Sequence, residues 1–144
     1  MVFSHDGLRD SLTRLSAPPY FYESLKREIS ISERSASALT VITFILKSDQ
    51  PIYDYPIIEF SEIASRAVRL EDHVGRLGDT NFAALINGGV DVAKQITSRI
   101  CALWTLEGVP RISLHYAWIA HEKGESALEF LNRLDMQETN THSF

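Results

Sequence analysis

Two short motifs near the middle of the chain contain side chains that can do chemistry. The first is the tetrad Arg69-x-x-Asp72. An arginine fork can hold a phosphate or the edge of a guanine through two hydrogen bonds, and an aspartate can accept from guanine N–H groups. The second motif follows after five intervening residues and consists of Gly78, Asp79, Thr80, Asn81 and Phe82. The first motif therefore favours a nucleotide as ligand.

The Arg-x-x-Asp tetrad is a weak signal on its own. If about a quarter of residues are charged, such a tetrad occurs by chance in roughly one of three chains of this length. The chain has a second one, Arg76-x-x-Asp79, inside the other motif. Arg69 and Asp72 can equally form an ion pair at a helix end, which contributes little stability. The ligand site and the ion pair both remain open at this stage.

The second motif resembles the signature of GGDEF domains, the bacterial family that makes cyclic di-GMP, because it stands where that family has Gly-Gly-Asp-Glu-Phe. Asp10–Leu15 (Asp-Ser-Leu-Thr-Arg-Leu) is similar to the family's opening Asp-x-Leu-Thr-Gly-Leu, and the likeness extends from about residue 10 to residue 135. Arg69-x-x-Asp72 stands where many members carry a product-binding inhibitory site, and Arg99 is the nearest match to a further arginine that completes it. The resemblance implies a nucleotidyl-cyclase-like fold.

The signature departs from the family pattern at positions that hold metal ions. Active members use carboxylates there to hold two divalent ions, which neutralise charge on the triphosphate during attack. Here Thr80 and Asn81 are neutral and poor ligands for hard cations, and the expected end of the first strand, Thr43–Lys47, contains no acid. Asp79 replaces a glycine whose bare backbone should approach phosphate. We therefore expect a degenerate domain that is not an enzyme and has no catalytic residue, metal or cofactor.

Composition narrows the classes of function further. The net charge of −5 argues against broad affinity for DNA or RNA, which depends on a basic surface. Cys101 is the only cysteine, which excludes an intramolecular disulfide and is consistent with a reducing cytoplasm. No apolar run approaches the ~20 residues of a membrane span, and the five histidines lack metal-site spacing. These features predict one cytoplasmic domain, residues 1–144, without membrane insertion.

The spacing of apolar residues predicts the elements that position the two motifs. Helices are expected at about Pro18–Arg34, Pro56–Val68 and Ser126–Leu134, and after Asn87-Gly88-Gly89. Strands are expected at Ala38–Leu46, His73–Leu77, Phe82–Ile86 and Arg111–Ala120, with the second motif as a hairpin turn. The predicted fold class is α+β, a two-layer sandwich of helices on a central sheet that contains antiparallel strands. Its core spans about residues 10–135, and residues 136–144 are expected to form a disordered tail.

Two functions of different classes follow from these observations. The first is a catalytically inactive receptor that binds cyclic di-GMP through Arg69, Asp72 and Arg99. The resemblance implies that the ligand can be an intercalated dimer that bridges two domains, which would favour a homodimer. The second is a scaffold that binds another protein or domain of the same signalling system and no nucleotide. Titration with cyclic di-GMP separates the two.

Overall fold

The structure, a computed structural model, describes residues 3–136 and 140–142. Its elements in chain order are α1 Pro18–Ser35, β1 Thr40–Lys47, α2 Asp54–Ala67, β2 His73–Arg76, β3 Asn81–Ile86, α3 Val90–Glu107, β4 Ser113–Ala120, α4 Ala127–Asp135 and β5 Asn140–His142. The strands form one antiparallel sheet in the order β2-β3-β1-β4-β5. No helix in this described part of the chain is long and apolar enough to cross a bilayer.

Helices cover both faces of the sheet. Successive residues of a strand point to opposite faces, and in β1 the residues Ile42, Phe44 and Leu46 pack in one core with α2 and α3. Val41, on the other face, packs in a second core with α1 and α4. The sheet is therefore the middle layer. The predicted α+β class with packing helices is confirmed. The predicted sandwich has two layers, whereas the structure has three, because helices pack on both faces of the sheet.

Local sequence explains several element boundaries. Pro18 and Pro19 occupy the first positions of α1, where the fixed φ of proline suits the first helical turn. Ser126 and Glu129 form a capping box at the start of α4. Strand β5 pairs with β4 in a region for which the sequence predicted a disordered tail. Residues 137–139, 143 and 144 of that predicted tail lie outside the described residues.

The N-terminal segment, residues 4–17, contacts the outer side of β2 at Ser16. The Ser16 amide donates to the carbonyl of Val74 at 3.3 Å, and the Arg76 amide donates to the carbonyl of Ser16 at 3.0 Å. Gly75 permits this approach, because a Cβ at that position would lie 2.7 Å from the Phe21 ring and 3.2 Å from the Ser16 carbonyl oxygen. The segment is thereby held in register with β2.

A buried ion pair joins the N-terminal segment to the β2–β3 hairpin. The side chains of Arg76 and Asp10 are both 0% exposed, and Nη1 of Arg76 donates to the two carboxylate oxygens at 3.1 and 3.2 Å. Nη2 of the same arginine donates to the carbonyl oxygen of Asp79 at 2.8 Å and to its Oδ1 at 3.1 Å. The second Arg-x-x-Asp tetrad, Arg76-x-x-Asp79, is therefore an ion pair that holds the hairpin turn.

Candidate functional site

Arg69 and Asp72 lie in the short connection between α2 and β2. The helix ends at Ala67, and Val68 has an extended backbone. The connection then turns, because the Asp72 amide donates to the carbonyl of Arg69 at 3.0 Å. The carboxylate of Asp72 closes the same turn by accepting from the Arg69 amide at 2.9 Å. This geometry places the Arg69 side chain at the end of α2.

The Asp72 carboxylate accepts hydrogen bonds from residues inside and outside the α2–β2 connection and is shielded from solvent. Its side chain is 0% exposed. One carboxylate oxygen accepts from the amide and Nε of Arg69, and the other accepts from the Asn87 amide at 3.0 Å. Asn87 lies just after β3, so Asp72 ties the α2–β2 connection to the β3–α3 connection. Both oxygens are engaged by the protein, which assigns Asp72 a positioning role in this conformation.

The Arg69 guanidinium is held on one side and open on the other. Its Nε lies 3.3 Å from Asp72 and 3.2 Å from Oε1 of Glu71, and Nη2 donates to the Asn87 carbonyl at 2.5 Å. The side chain is nevertheless 42% exposed. Arg69 and Asp72 form the ion pair that the sequence predicted as the alternative to a ligand site. Part of the Arg69 guanidinium is still accessible to a ligand. The two interpretations are therefore compatible.

Arg99, the third predicted site residue, lies on α3 and reaches the same end of α2. Its Nη1 donates to the carbonyl of Ala67 at 2.5 Å, which is the last residue of α2. The last carbonyls of a helix lack intrahelical partners and carry partial negative charge, so a cation is stabilising there. The structure thus brings Arg69, Asp72 and Arg99 to one end of one helix.

A groove of about 370 Å³ opens between the α2–β2 connection and the N-terminal segment, and Arg69 and Asp72 line it. Two further arginines, Arg9 and Arg14, line it from the N-terminal segment. Sequence reasoning did not connect them with Arg69, since they lie more than fifty positions away in the chain.

The signature turn lies at the opposite end of β2. The amides of Leu77 and Gly78 both donate to the Asn81 carbonyl, at 2.7 and 3.2 Å, and this closes the predicted hairpin. The Leu46 amide of β1 donates to the Thr80 carbonyl at 3.0 Å. Phe82 is 1% exposed and belongs to the core. The turn is therefore fixed by backbone contacts from both neighbouring strands.

Burial shifts the pKa of several side chains outside these motifs, among them Cys101 and His115. Burial raises the pKa of Cys101 to about 11, so the thiol is neutral at physiological pH and packs among apolar side chains. Burial, together with the charge of Lys47, lowers the pKa of His115. Within residues 3–136 and 140–142, no group of three or more His, Cys, Asp or Glu side chains is placed to hold a metal ion.

One curated protein shows significant sequence similarity to the chain. Diguanylate cyclase DgcS of Shewanella oneidensis is 25% identical over 105 aligned residues, and the match covers 67% of this chain and 36% of that protein. The chain therefore spans about a third of the length of this relative. A comparison with protein-family profiles finds no match.

Solved structures of GGDEF domains share the fold of most of the chain. The GGDEF domain of DgcB from Caulobacter crescentus, in complex with c-di-GMP, superimposes with a TM-score of 0.82 at 17% identity and covers 94% of this chain and 88% of that one. Diguanylate cyclase SiaD from Pseudomonas aeruginosa, in complex with its activator SiaC, gives 0.80 at 20% identity, over 89% and 55% of the two chains. A Thermotoga maritima DGC protein gives 0.74 at 21%, over 88% and 98%.

These comparisons contradict the prediction that the chain is not an enzyme. The relatives are named diguanylate cyclases, which are enzymes, and no observation shows that this chain lacks activity. The prediction rested on counting acids at aligned motif positions. Such a count does not decide metal or triphosphate binding, because hard cations also accept backbone carbonyls and waters, and a ligand atom can come from any segment near the turn.

The predicted resemblance is confirmed at the level of the fold. The chain superimposes on solved GGDEF domain structures with TM-scores of 0.80 and 0.82 over 91% and 94% of its length. The chain has the fold of a GGDEF domain.

Proposed function

We propose that this GGDEF-like domain acts in a bacterial, cytoplasmic cyclic di-GMP signalling system and binds the dinucleotide at Arg69. The observation that carries the proposal is the buried Asp72 carboxylate, which fixes the Arg69 backbone and Nε while part of the guanidinium stays exposed at the mouth of a groove. A structural neighbour, the DgcB GGDEF domain, is described in complex with c-di-GMP. Both facts support a ligand at the α2–β2 connection.

Three residues have different roles in the proposed site. Arg69 contacts the ligand, since its planar fork suits a phosphodiester or a guanine edge. Asp72 is a positioning residue, because its oxygens hold Arg69 and Asn87. Arg99 anchors the end of α2 through the Ala67 carbonyl and adds positive charge to the same region. Losing Arg69 should therefore affect binding most directly.

Arg69→Ala is expected to weaken cyclic di-GMP binding roughly ten- to a hundredfold, because it removes a charge-assisted bidentate contact worth ~1.5–3 kcal/mol. Calorimetric titration measures the affinity, which should also fall as salt rises. Arg66→Ala is the matched control. Arg66 lies on α2 three residues earlier, and its Nη2 faces Glu107 at 2.8 Å, so its loss should leave the affinity unchanged.

The outcomes of this titration separate the two classes of function. Binding by the wild type that survives Arg69→Ala unchanged would place the nucleotide elsewhere on the domain. Absence of heat at hundreds of micromolar ligand would favour the scaffold, a role for which the SiaD–SiaC complex offers a structural precedent. Equal losses in Arg69→Ala and Arg66→Ala would indicate a general charge effect instead of a site.

Glu71→Gln is expected to tighten cyclic di-GMP binding about two- to fivefold. The Glu71 carboxylate lies 3.2 Å from Nε of Arg69, and both side chains are largely exposed, so it competes with an anionic ligand for the same guanidinium. Exposed ion pairs are worth ~1 kcal/mol or less, which limits the gain. Affinities for the two proteins at the same ionic strength test this. Weaker binding by the variant would mean that Glu71 itself contacts the ligand.

A further inference from the structure

The groove beside Arg69 concentrates positive charge on an acidic protein. Arg9, Arg14 and Arg69 all line it, although the chain carries a net charge of −5. Asp72, which also lines the groove, has its carboxylate engaged by N–H groups of the protein. A local arginine cluster of this kind is where an acidic protein can hold an anion.

Arg14 occupies a strained backbone position in this groove. Its φ is +65°, a left-handed conformation that is costly for L-residues other than glycine and that clusters at functional sites. The turn is held by the Arg14 amide, which donates to the Asp10 carbonyl at 3.0 Å, while Asp10 is fixed by Arg76. Glycine would satisfy this turn without strain. Compared with glycine, arginine at position 14 places a guanidinium group in the lining of the groove.

The guanidinium groups of Arg9 and Arg14 are available for a ligand. Among the described residues, neither side chain forms a hydrogen bond or an ion pair, whereas Arg69 is partly engaged by the protein. Arg9 stacks 5.4 Å from the centre of the Tyr20 ring, which orders it without using its N–H donors. Asp6, within electrostatic reach of Arg14, already accepts from the amides of Leu8 and Arg9 at 2.9 and 2.7 Å.

We propose that Arg9 and Arg14 form the second wall of the Arg69 site and hold a second phosphate, so that the groove binds ligands with two phosphate groups in preference to a mononucleotide. This inference rests on the proposed function of the Arg69 site and extends it to ligand selectivity. Arginines from two separate segments of the chain line the groove and can provide separate forks for the two phosphodiesters of cyclic di-GMP. The groove volume of about 370 Å³ is within the range of ligand sites.

The test uses Arg14→Gly, Arg9→Ala and the matched control Arg111→Ala in the complete chain. Arg111 lies two residues before Ser113, the first residue of β4. Ser113 pairs with Lys47 at the end of β1, so Arg111 lies at the opposite end of the sheet from Arg69. Each protein is titrated by calorimetry with cyclic di-GMP, GMP and inorganic pyrophosphate at two salt concentrations, and its melting temperature is measured. Pyrophosphate reports on the anion site independently of guanine recognition.

Arg14→Gly is expected to raise the melting temperature, since strain is relieved, and to weaken cyclic di-GMP binding about five- to tenfold with a shallower salt dependence. Arg9→Ala should weaken cyclic di-GMP binding about threefold. The affinity for GMP should fall less than the affinity for the dinucleotide in both variants. Arg111→Ala should bind both ligands with the affinity of the wild type. A gain in stability together with a loss in affinity is a combination that a merely structural arginine would not produce.

The possible outcomes distinguish this inference from the function on which it rests. If cyclic di-GMP binding depends on Arg69 but not on Arg9 or Arg14, the proposed role of Arg9 and Arg14 is wrong and the proposed function stands. If cyclic di-GMP does not bind, the proposed function fails. The pyrophosphate titration then tests whether the groove is a site for two phosphates. Pyrophosphate binding that is lost in Arg14→Gly would then support a two-phosphate site, whereas binding that is absent or independent of Arg14 would overturn it.

Discussion

Replacing Asp10 with alanine is expected to lower the free energy of unfolding by about 3–5 kcal/mol, because it leaves the Arg76 guanidinium buried without its buried partner. Both side chains are 0% exposed, and Nη1 of Arg76 contacts both carboxylate oxygens. Asp10 also accepts from the amide and hydroxyl of Thr13, and these donors would lose their acceptor too. In thermal unfolding the midpoint should fall by roughly 10–20 °C.

Asp79→Ala is the matched control for this prediction, because it removes the other carboxylate that contacts the same arginine. The Asp79 side chain is 54% exposed, and the backbone carbonyl of residue 79 still accepts from Arg76, so a loss of about 1 kcal/mol or less is expected. Replacing both partners, as Asp10→Leu with Arg76→Met, should destabilise less than Asp10→Ala alone. Equal losses for Asp10→Ala and Asp79→Ala would contradict the importance of burial.

Phe60→Ala should lower the free energy of unfolding by about 3–5 kcal/mol, the usual cost of the cavity left by a buried aromatic residue. Phe60 is 0% exposed and is one of the α2 residues that pack in the core between this helix and the sheet. Its ring centre lies 5.4 Å from Phe44 of β1, 4.8 Å from Phe82 of β3 and 5.7 Å from Trp104 of α3. Urea unfolding followed by circular dichroism measures the change.

Two further substitutions show whether the Phe60 effect comes from packing. Phe60→Leu keeps most of the apolar volume and should cost less than half as much as the alanine variant. Tyr55→Ala removes an aromatic ring from the same helix, but this ring is 64% exposed, so the midpoint should hardly move. A Tyr55→Ala loss as large as that of Phe60→Ala would show that the substitutions act through the helix itself and not through the core.

Most elements of the fold other than β5 were predictable because their signals are local. Pro18-Pro19 marks the start of α1, and the turn residues 78–81 between apolar runs mark the hairpin. The strand that became β1 was evident from its β-branched and aromatic residues. Strand order and the placement of helices on two faces were not predictable, since apolar periodicity reports that a face is buried without reporting which element covers it.

The candidate site was only partly predictable for the same reason. Arg69 and Asp72 were found by their spacing, and Arg99 by the resemblance. The burial of Asp72 depends on Asn87, fifteen positions later, and the pairing of Asp10 with Arg76 spans 66 positions. Whether a charged residue binds ligand or supports the fold is decided by such distant contacts, and no local pattern encodes them.

The N-terminal segment has a further consequence for the behaviour of this protein in concentrated solution. β2 is the outermost strand on its side of the sheet, and an open strand edge invites pairing with strands of other molecules. Ser16 occupies that edge by bonding to Val74 and Arg76, and the Asp10–Arg76 pair locks it there. The segment therefore leaves less of this edge open for pairing with strands of other molecules, and the buried charged pair that supports the fold also holds the segment there.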